Sequence, residues 1–212
     1  MTAPMNLPIY LARHLVLFAR APMRGAVKRR LAADIGKDAA LAFYRRTLHD
    51  VLWRLGRDPR WTTWLCVTPD SAAGQPGLWP PVPGVRLIPQ GYGDLGDRMA
   101  GPLYRLPPGP VVVVGSDIPD IATDHVRDAF AALGRHDFVF GPAADGGYWL
   151  VGAKRSRVVP QGLFENVRWS NEHALSDTVA GLPKNARVAR LGELDDIDDG
   201  PAYHAWRAGR RP

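Results

Sequence analysis

Short apolar, β-branched runs recur along the chain and alternate with longer stretches in which apolar positions return every three or four residues. The runs HLVLFA (14–19), WTTWLCV (61–67), VRLI (85–88), VVVV (111–114) and DFVFG (137–141) each predict a β-strand. The stretches DAALAFYRRTLHDVLWRL (38–55), DLGDRMAGPLYRL (94–106) and TDHVRDAFAAL (123–133) carry the helical period, the last with Thr123 as its expected N-cap. Past Gly152 the pattern weakens, leaving a helix near 172–181, a short strand at 186–191 and a last helix near 200–208. The proline-rich stretch 71–84 reads as a surface connection, because strands continue on both sides of it.

Alternating strands and helices are joined by right-handed crossovers, which lay the strands largely parallel and cover both sheet faces with helices. VVVV contains no polar position and is the strand expected at the centre, buried on both sides. The fold class read from the pattern is α/β. In such sheets ligands bind beyond the carboxyl ends of the strands, so the residues that follow each apolar run are where chemistry is sought.

Four of those loops carry it. After the first run, ARAPMRGAVKRRLA bends at Pro22 and Gly25 and brings Lys28, Arg29 and Arg30 to a helix start, where backbone amides and fixed cations suit phosphate. The spacing matches neither GxxxxGK[ST] nor GxGxxG, and a solvated basic turn is the alternative. After the third run, PQGYGDLGDRM has glycines at 91, 93 and 96, and the Gln90 amide offers a donor and an acceptor to a nucleobase edge. The alternative is an ordinary helix start with Asp94 or Asp97 in its first turn. After VVVV comes GSDIPD, where Asp117 is placed to hold a hard divalent cation bridging substrate phosphates, with Asp120 as second choice. Here Ser116 or Asp117 capping a turn stiffened by Pro119 is the alternative. After the fifth run, GPAADGGYWLVG reads first as a tight turn between two strands. On the same sheet edge as Lys28 and Asp117, that turn becomes a wall of the site, its glycines admitting substrate to the backbone between Asp145 and Tyr148 or Trp149.

Composition narrows the partners. There are 27 Lys+Arg against 21 Asp+Glu, and 23 of the 27 are arginine, whose planar fork suits phosphate. They are scattered, without the dense basic tract of a nucleic-acid face, so no nucleic acid is expected. The one cysteine, Cys66, lies inside an apolar run and reads as a buried small hydrophobe. No run approaches the roughly 20 apolar residues of a membrane span, and the N-terminus lacks the pattern of a secretion signal, so a cytoplasmic protein is expected. One domain over 14–208, preceded by an extension over 1–13, accounts for the length. The YWLV run and the tryptophans at 149 and 169 suit either an acceptor pocket or a subunit contact, and the oligomeric state stays open.

FARAPMRGAVKRRLA, QGYGDLGDRM, VVVVGSDIPDI, FVFGPAADGGYWLVG, LFENVRWS and LDDIDD, in this order, resemble the DUF2064 family, glycosyltransferase-like proteins with the nucleotide-diphospho-sugar transferase (GT-A) fold. The resemblance implies a single GT-A domain with a mixed, mostly parallel sheet. It places the nucleotide phosphates on the first loop (Ala19, Pro22, Gly25, Lys28, Arg30) and the base on the third (Gln90, Gly91, Asp94). Mg2+ or Mn2+ would sit on Asp117, with Asp198 completing the site from the closing segment and Asp196 as second candidate. Two departures stand out. Arg29 replaces the threonine of the usual VKTRL, and DIDDGPAY keeps Asp196 and Asp198 of DVDTPEDL but loses its downstream acid.

The activity this implies is metal-dependent transfer of a sugar from a nucleotide sugar to a small-molecule acceptor. Asp145 would act as base, Lys28 and Arg30 as catalytic cations, and Gly146, Gly147, Tyr148 and Trp169 would lie on the acceptor side, with Ser170 as N-cap of the next helix. The alternative is nucleotidyl transfer from a nucleoside triphosphate to a phosphorylated or phosphonate small molecule, releasing pyrophosphate. A non-catalytic nucleotide-binding domain is the second alternative.

Overall fold

The computed structural model describes residues 11–156 and 158–209, so most of the expected N-terminal extension lies outside the described residues. In chain order the elements are β1 (His14–Arg20), α1 (Arg29–Ile35), α2 (Lys37–Gly56), β2 (Thr62–Thr68), β3 (Arg86–Pro89), α3 (Leu95–Arg105), β4 (Val111–Gly115), α4 (Thr123–Leu133), β5 (Phe138–Pro142), β6 (Tyr148–Ala153), α5 (Ala174–Ala180), β7 (Val188–Arg190) and α6 (Gly200–Ala208). The seven strands form one sheet in the order β3-β2-β1-β4-β6-β5-β7. Only β6 is reversed: it pairs antiparallel with both β4 and β5, while the β1–β2, β1–β4, β2–β3 and β5–β7 pairs are parallel. The fold is the expected mixed, mostly parallel α/β sheet.

Strand alternation divides the core. On β1, Leu15 and Leu17 join one apolar layer with Leu48 and Leu52 of α2 and Val126 and Phe130 of α4. Val16 faces the other way, into a layer with Met99 and Leu103 of α3, Phe140 of β5 and Leu163. A smaller cluster of Leu31, Ala40, Phe43 and Ile197 locks α1 and α2 to the closing segment. VVVV is β4, its first four residues at most 3% exposed, lying between β1 and β6 as a doubly covered central strand should. Cys66 is buried and reduced, and burial pushes its thiol up to about 12, in keeping with a small hydrophobe. The proline-rich connection forms two short 3-10 turns held by Trp79, whose buried indole donates to the Ala72 carbonyl at 2.9 Å.

One predicted detail is corrected. Thr123 is the first residue of α4 and not its cap; Ala122 holds the extended cap position, and its N–H donates to His125 Nδ1 at 3.0 Å. The imidazole thus takes the N–H of the cap residue itself, and no side chain accepts from the first-turn N–H groups of α4 among the described residues. Ile121, fully buried, pins the chain just ahead of the helix and sets this register.

From β1 the chain runs outward to β2 and β3, then returns to the other side of β1 as β4. Strand order reverses between β1 and β4, and a crevice opens there at the carboxyl edge. Because β6 alone is reversed, the β5–β6 turn also falls on that edge. Gly152 makes this reversed strand fit: a Cβ there would lie 2.7 Å from Val139 Cγ1 and 3.1 Å from Val112 Cγ2 of the flanking strands. Gly152→Val should lower stability by about 1–3 kcal/mol, the usual cost of overpacking. A denaturant midpoint indistinguishable from wild type would contradict this packing.

Candidate functional site

The crevice between β1 and β4 is closed by one ion cluster. Lys28 stands at the N-cap of α1 in the left-handed region (φ 45°, ψ 54°), an uncommon conformation for a residue with a side chain and one met where a local geometry is over-determined. Its side chain is 3% exposed, and the ammonium reaches Asp117 Oδ2 at 2.9 Å, Asp196 Oδ2 at 3.0 Å and Asp198 Oδ1 at 2.6 Å. The ammonium donates hydrogen bonds to Asp196 and Asp198 and is paired by charge with Asp117. Burial alone would lower the Lys28 pKa; the carboxylates of Asp117, Asp196 and Asp198 outweigh it and hold the group above its ordinary range. Arg30, exposed on the next turn, donates to Asp198 Oδ2 at 2.5 Å.

Asp117 reaches the cluster from the end of β4, while Asp196 and Asp198 come from the closing segment ELDDIDDG. Every aspartate of that segment has a partner. Asp195 accepts from the Ala144 N–H at 2.9 Å, Asp196 and Asp198 bind Lys28, and Asp199 caps α6 by accepting from the Ala202 N–H at 2.9 Å. Between the two ligands of Lys28, Ile197 is buried among Leu31, Ala40 and Phe43. With Ile197 turned into the core, its two neighbours are directed the other way, toward the ammonium. Burial raises the Asp196 carboxyl well above the usual range, with Lys28 opposing and Asp117 reinforcing the shift. At Asp198 burial is outweighed by Lys28, by hydrogen bonds from Asp196 and Lys28, and by Arg30, and the group stays low.

One oxygen from each of Asp117, Asp196 and Asp198 lies within 4.8 Å of the other two, close enough for a single metal ion. Carboxylate oxygens are the hard donors that Mg2+ and Mn2+ take, so the residues fit the ion that the resemblance implies.

Beside the cluster lies a cleft of about 270 Å³, lined among others by Leu95, Met99, Asp117, Asp145, Trp169 and Asn171. Its far wall is the β5–β6 turn. Asp145 is exposed, and its Oδ1 accepts from the Gly147 N–H at 2.9 Å, a two-residue turn of the type aspartate favours. Gly146 has φ 82°, and a Cβ there would lie 2.1 Å from the Glu172 carbonyl oxygen, so the turn tip rests on the 171–175 backbone as only glycine allows. The turn is tied to the closing segment as well, since the Trp149 indole donates to the Gly192 carbonyl at 3.1 Å.

Tyr148 packs edge-on against Phe140 and Trp169. The Trp169 Nε1 is buried without a hydrogen-bond partner among the described residues, although the ring lines the cleft. Ser170 does not cap the next helix. It lies at φ 56°, and α5 begins only at Ala174 after His173. What ties this loop to α5 is Asp177, which accepts from the Arg168 backbone N–H at 3.1 Å and from its guanidinium at 2.8 and 2.9 Å.

The third loop is built differently from the expectation. Gln90 is 5% exposed; its amide nitrogen donates to the Ala19 and Cys66 carbonyls at 3.3 and 3.0 Å, and its oxygen accepts from Arg98 at 3.3 Å. The side chain fastens β3 to its neighbours and has no group left to present to a base. Gly91 donates its N–H to Asp70, and Asp94 caps α3 in a reciprocal pair with Asp97. On the first loop, Ala19 and Pro22 are buried, whereas Gly25, at φ 76°, and Arg29 are exposed. Asp120 is exposed and stands outside the three-carboxylate cluster. Leu95, Met99 and Asn171, which line the cleft, carry no motif that could have revealed them.

The model of the family of uncharacterized proteins conserved in bacteria, DUF2064, matches residues 48–171, more than half of the chain. The chain belongs to the DUF2064 family. No curated protein matches the sequence of this DUF2064 protein. Among solved structures it is similar to a candidate nucleotide-diphospho-sugar transferase from Desulfovibrio desulfuricans, at 27% identity and a TM-score of 0.80 over 94% of this chain and 88% of that one. The fold is shared with 4-diphosphocytidyl-2C-methyl-D-erythritol synthase from Anaerococcus prevotii, at 10% identity and a TM-score of 0.62, covering 94% and 99% of the two chains. It is shared too with glucosyl-3-phosphoglycerate synthase from Mycobacterium tuberculosis, a complex with Mn2+ and uridine diphosphate, at 12% identity and a TM-score of 0.54 over 92% and 75%. No helix among the described residues is long and apolar enough to cross a membrane.

The Arg168–Asp177 tie carries a pH dependence. Hydrogen bonds from the guanidinium and the Arg168 N–H hold the Asp177 carboxyl at about 2, below its unfolded value near 4. Its contribution is therefore complete above about pH 4 and is lost as pH falls through 2. Asp177→Asn should at neutral pH lower the hydrogen-exchange protection of 165–173, measured against the intrinsic rate, as acid does in the wild type, while β4 stays protected. Equal protection of 165–173 in variant and wild type would show that this tie does not hold the loop.

Proposed function

We propose that this DUF2064 protein is a divalent-metal-dependent transferase acting on a nucleotide-activated small molecule, and that the transferred group is the nucleotidyl moiety. One observation carries the finer reading. The strand β4 supplies a single carboxylate, Asp117, and the others come from the closing segment, as in nucleotidyltransferases, in place of the adjacent pair of a DxD motif. The fold likeness to enzymes of nucleotide and nucleotide-sugar chemistry supports the coarser one.

A divalent cation on Asp117, Asp196 and Asp198 would supply Lewis-acid stabilisation to phosphate oxygens. The chain's own groups supply the rest. Lys28 and Arg30 face the same ground and neutralise the charge that spreads over a phosphate chain as its bond to the leaving pyrophosphate lengthens. A phosphate or phosphonate acceptor arrives already ionised, so its attack on the α-phosphorus needs no base. Asp145, in the opposite wall, then orients the acceptor.

Asp145 also favours the second reading, sugar transfer. There the same carboxylate would take the proton of an acceptor hydroxyl while a nucleoside diphosphate leaves.

Incubation with nucleoside triphosphates and nucleotide sugars, with and without Mg2+ or Mn2+, separates the two. Pyrophosphate released only in the presence of a phosphorylated acceptor is the expected result, whereas nucleoside diphosphate released from a nucleotide sugar would establish sugar transfer instead. Asp117→Asn should cut turnover by about 10²–10³-fold, the usual loss when a preorganised electrostatic group is removed. It should also weaken metal-dependent nucleotide binding, and near-normal activity would remove Asp117 from the site.

A further inference from the structure

The ion cluster allows more to be said about Lys28 than that it is a cation near phosphates. Three carboxylates enclose its ammonium, Asp117 at 2.9 Å, Asp196 at 3.0 Å and Asp198 at 2.6 Å, the last two accepting hydrogen bonds from it, and its side chain is 3% exposed. In this arrangement the ammonium is enclosed by anions and closed to a phosphate. A divalent cation on the same three carboxylates would lie against the ammonium, and both Asp198 oxygens are already engaged, Oδ1 by Lys28 and Oδ2 by Arg30. The two roles that the proposed function gives these residues are therefore incompatible with the arrangement in which they are found. We infer that a divalent cation and the Lys28 ammonium exchange places on Asp117, Asp196 and Asp198, so that metal binding releases Lys28 to the phosphates of the nucleotide.

The charges require this pairing. If Lys28 withdrew alone, three carboxylates would be left against Arg30, which touches only Asp198 and is 74% exposed. If a cation entered while Lys28 stayed, it would find Asp198 with both oxygens engaged. Exchange avoids both states. Arg30 is the less suitable group to displace, because it holds one of the three carboxylates and Lys28 holds all of them. Lys28 is fixed at the start of α1 but ends in an unbranched stem, which can swing the ammonium while the backbone stays in place. Metal and nucleotide then favour each other through one side chain in addition to any direct contact between them, and that coupling is reciprocal.

This rests on the metal-dependent reading above, and the experiment separates the two. Only four lysines occur, at 28, 37, 154 and 184, so an amine-acetylating reagent with peptide mapping reports Lys28 against three internal controls. Without metal Lys28 should be nearly inert. With saturating Mn2+ and no nucleotide its labelling should rise about tenfold, within the usual 5–150-fold range of coupling between sites, while the other three stay constant. Bound Mn2+ is counted independently by its paramagnetic resonance. In Lys28→Met, where the resident cation is gone and no longer has to be displaced, the Mn2+ dissociation constant should fall about tenfold. Bound Mn2+ with Lys28 still unreactive would overturn the exchange and leave the metal site standing, as would a folded Lys28→Met protein that binds Mn2+ no more tightly than wild type. Should the variant not fold, the labelling result on the wild-type protein decides alone. Absence of any bound Mn2+ would overturn the metal reading and the exchange with it.

Discussion

The contact between Lys28 and its three carboxylates is the constraint on which the site depends. It joins the loop after β1, the end of β4 and the segment after β7, which are separated by up to 170 residues. Three like charges gather there only because a cation sits among them, and the cation tolerates 3% exposure only because three carboxylates surround it. Neither half is stable in this position without the other. The cluster therefore sets both the width of the crevice between β1 and β4 and the electrostatic conditions under which anything charged can enter it.

Apolar contacts place these charges. Ile197, held with Leu31 and Phe43, divides the closing segment into one inward residue flanked by two outward carboxylates. Tyr44, buried in α2, exchanges hydrogen bonds with the backbone of Arg20, donating to its carbonyl at 2.8 Å and accepting from its N–H at 2.9 Å, which fixes the point where the loop of Lys28 leaves β1. Arg54 of α2 donates to the carbonyls of Pro119 and Ile121 and so holds the turn that follows Asp117. One helix thus steadies two of the loops that meet at the cluster.

Much of this was legible in the sequence, for identifiable reasons. β4 and α4 were readable because a strand covered on both faces is apolar throughout and an amphipathic helix repeats every three or four residues. Asp117 and Lys28 were readable from position alone, since both follow strands that border the point of reversal. What could not be read were pairings across distance and the direction of single side chains. Nothing local distinguishes Asp196 from a solvated acid, and only the folded chain brings it to Lys28. Gln90 looked like a base reader because it follows a strand, yet its amide is turned inward to the Ala19 and Cys66 carbonyls of β1 and β2. At Thr123 and Ser170 a competent capping residue was present, but the helix register was set elsewhere, by buried Ile121 and by the Arg168–Asp177 tie.

The single reversed strand has a consequence for how such a site can change. In a wholly parallel sheet, the connection leaving β5 would have to travel back across the molecule before the next strand began, and its length would be bound to the helix that covers it. Reversing β6 replaces that crossover with five residues, 143–147, anchored at one end by Asp195 and at the tip by the 171–175 backbone. The wall facing the cleft is thus a module that can be lengthened or re-lettered while strand order, the three-carboxylate cluster and the loop of Lys28 stay where they are. Diversity in what the cleft admits should accumulate there first among proteins built on this plan, because it is the place where novelty disturbs the least of the remaining structure.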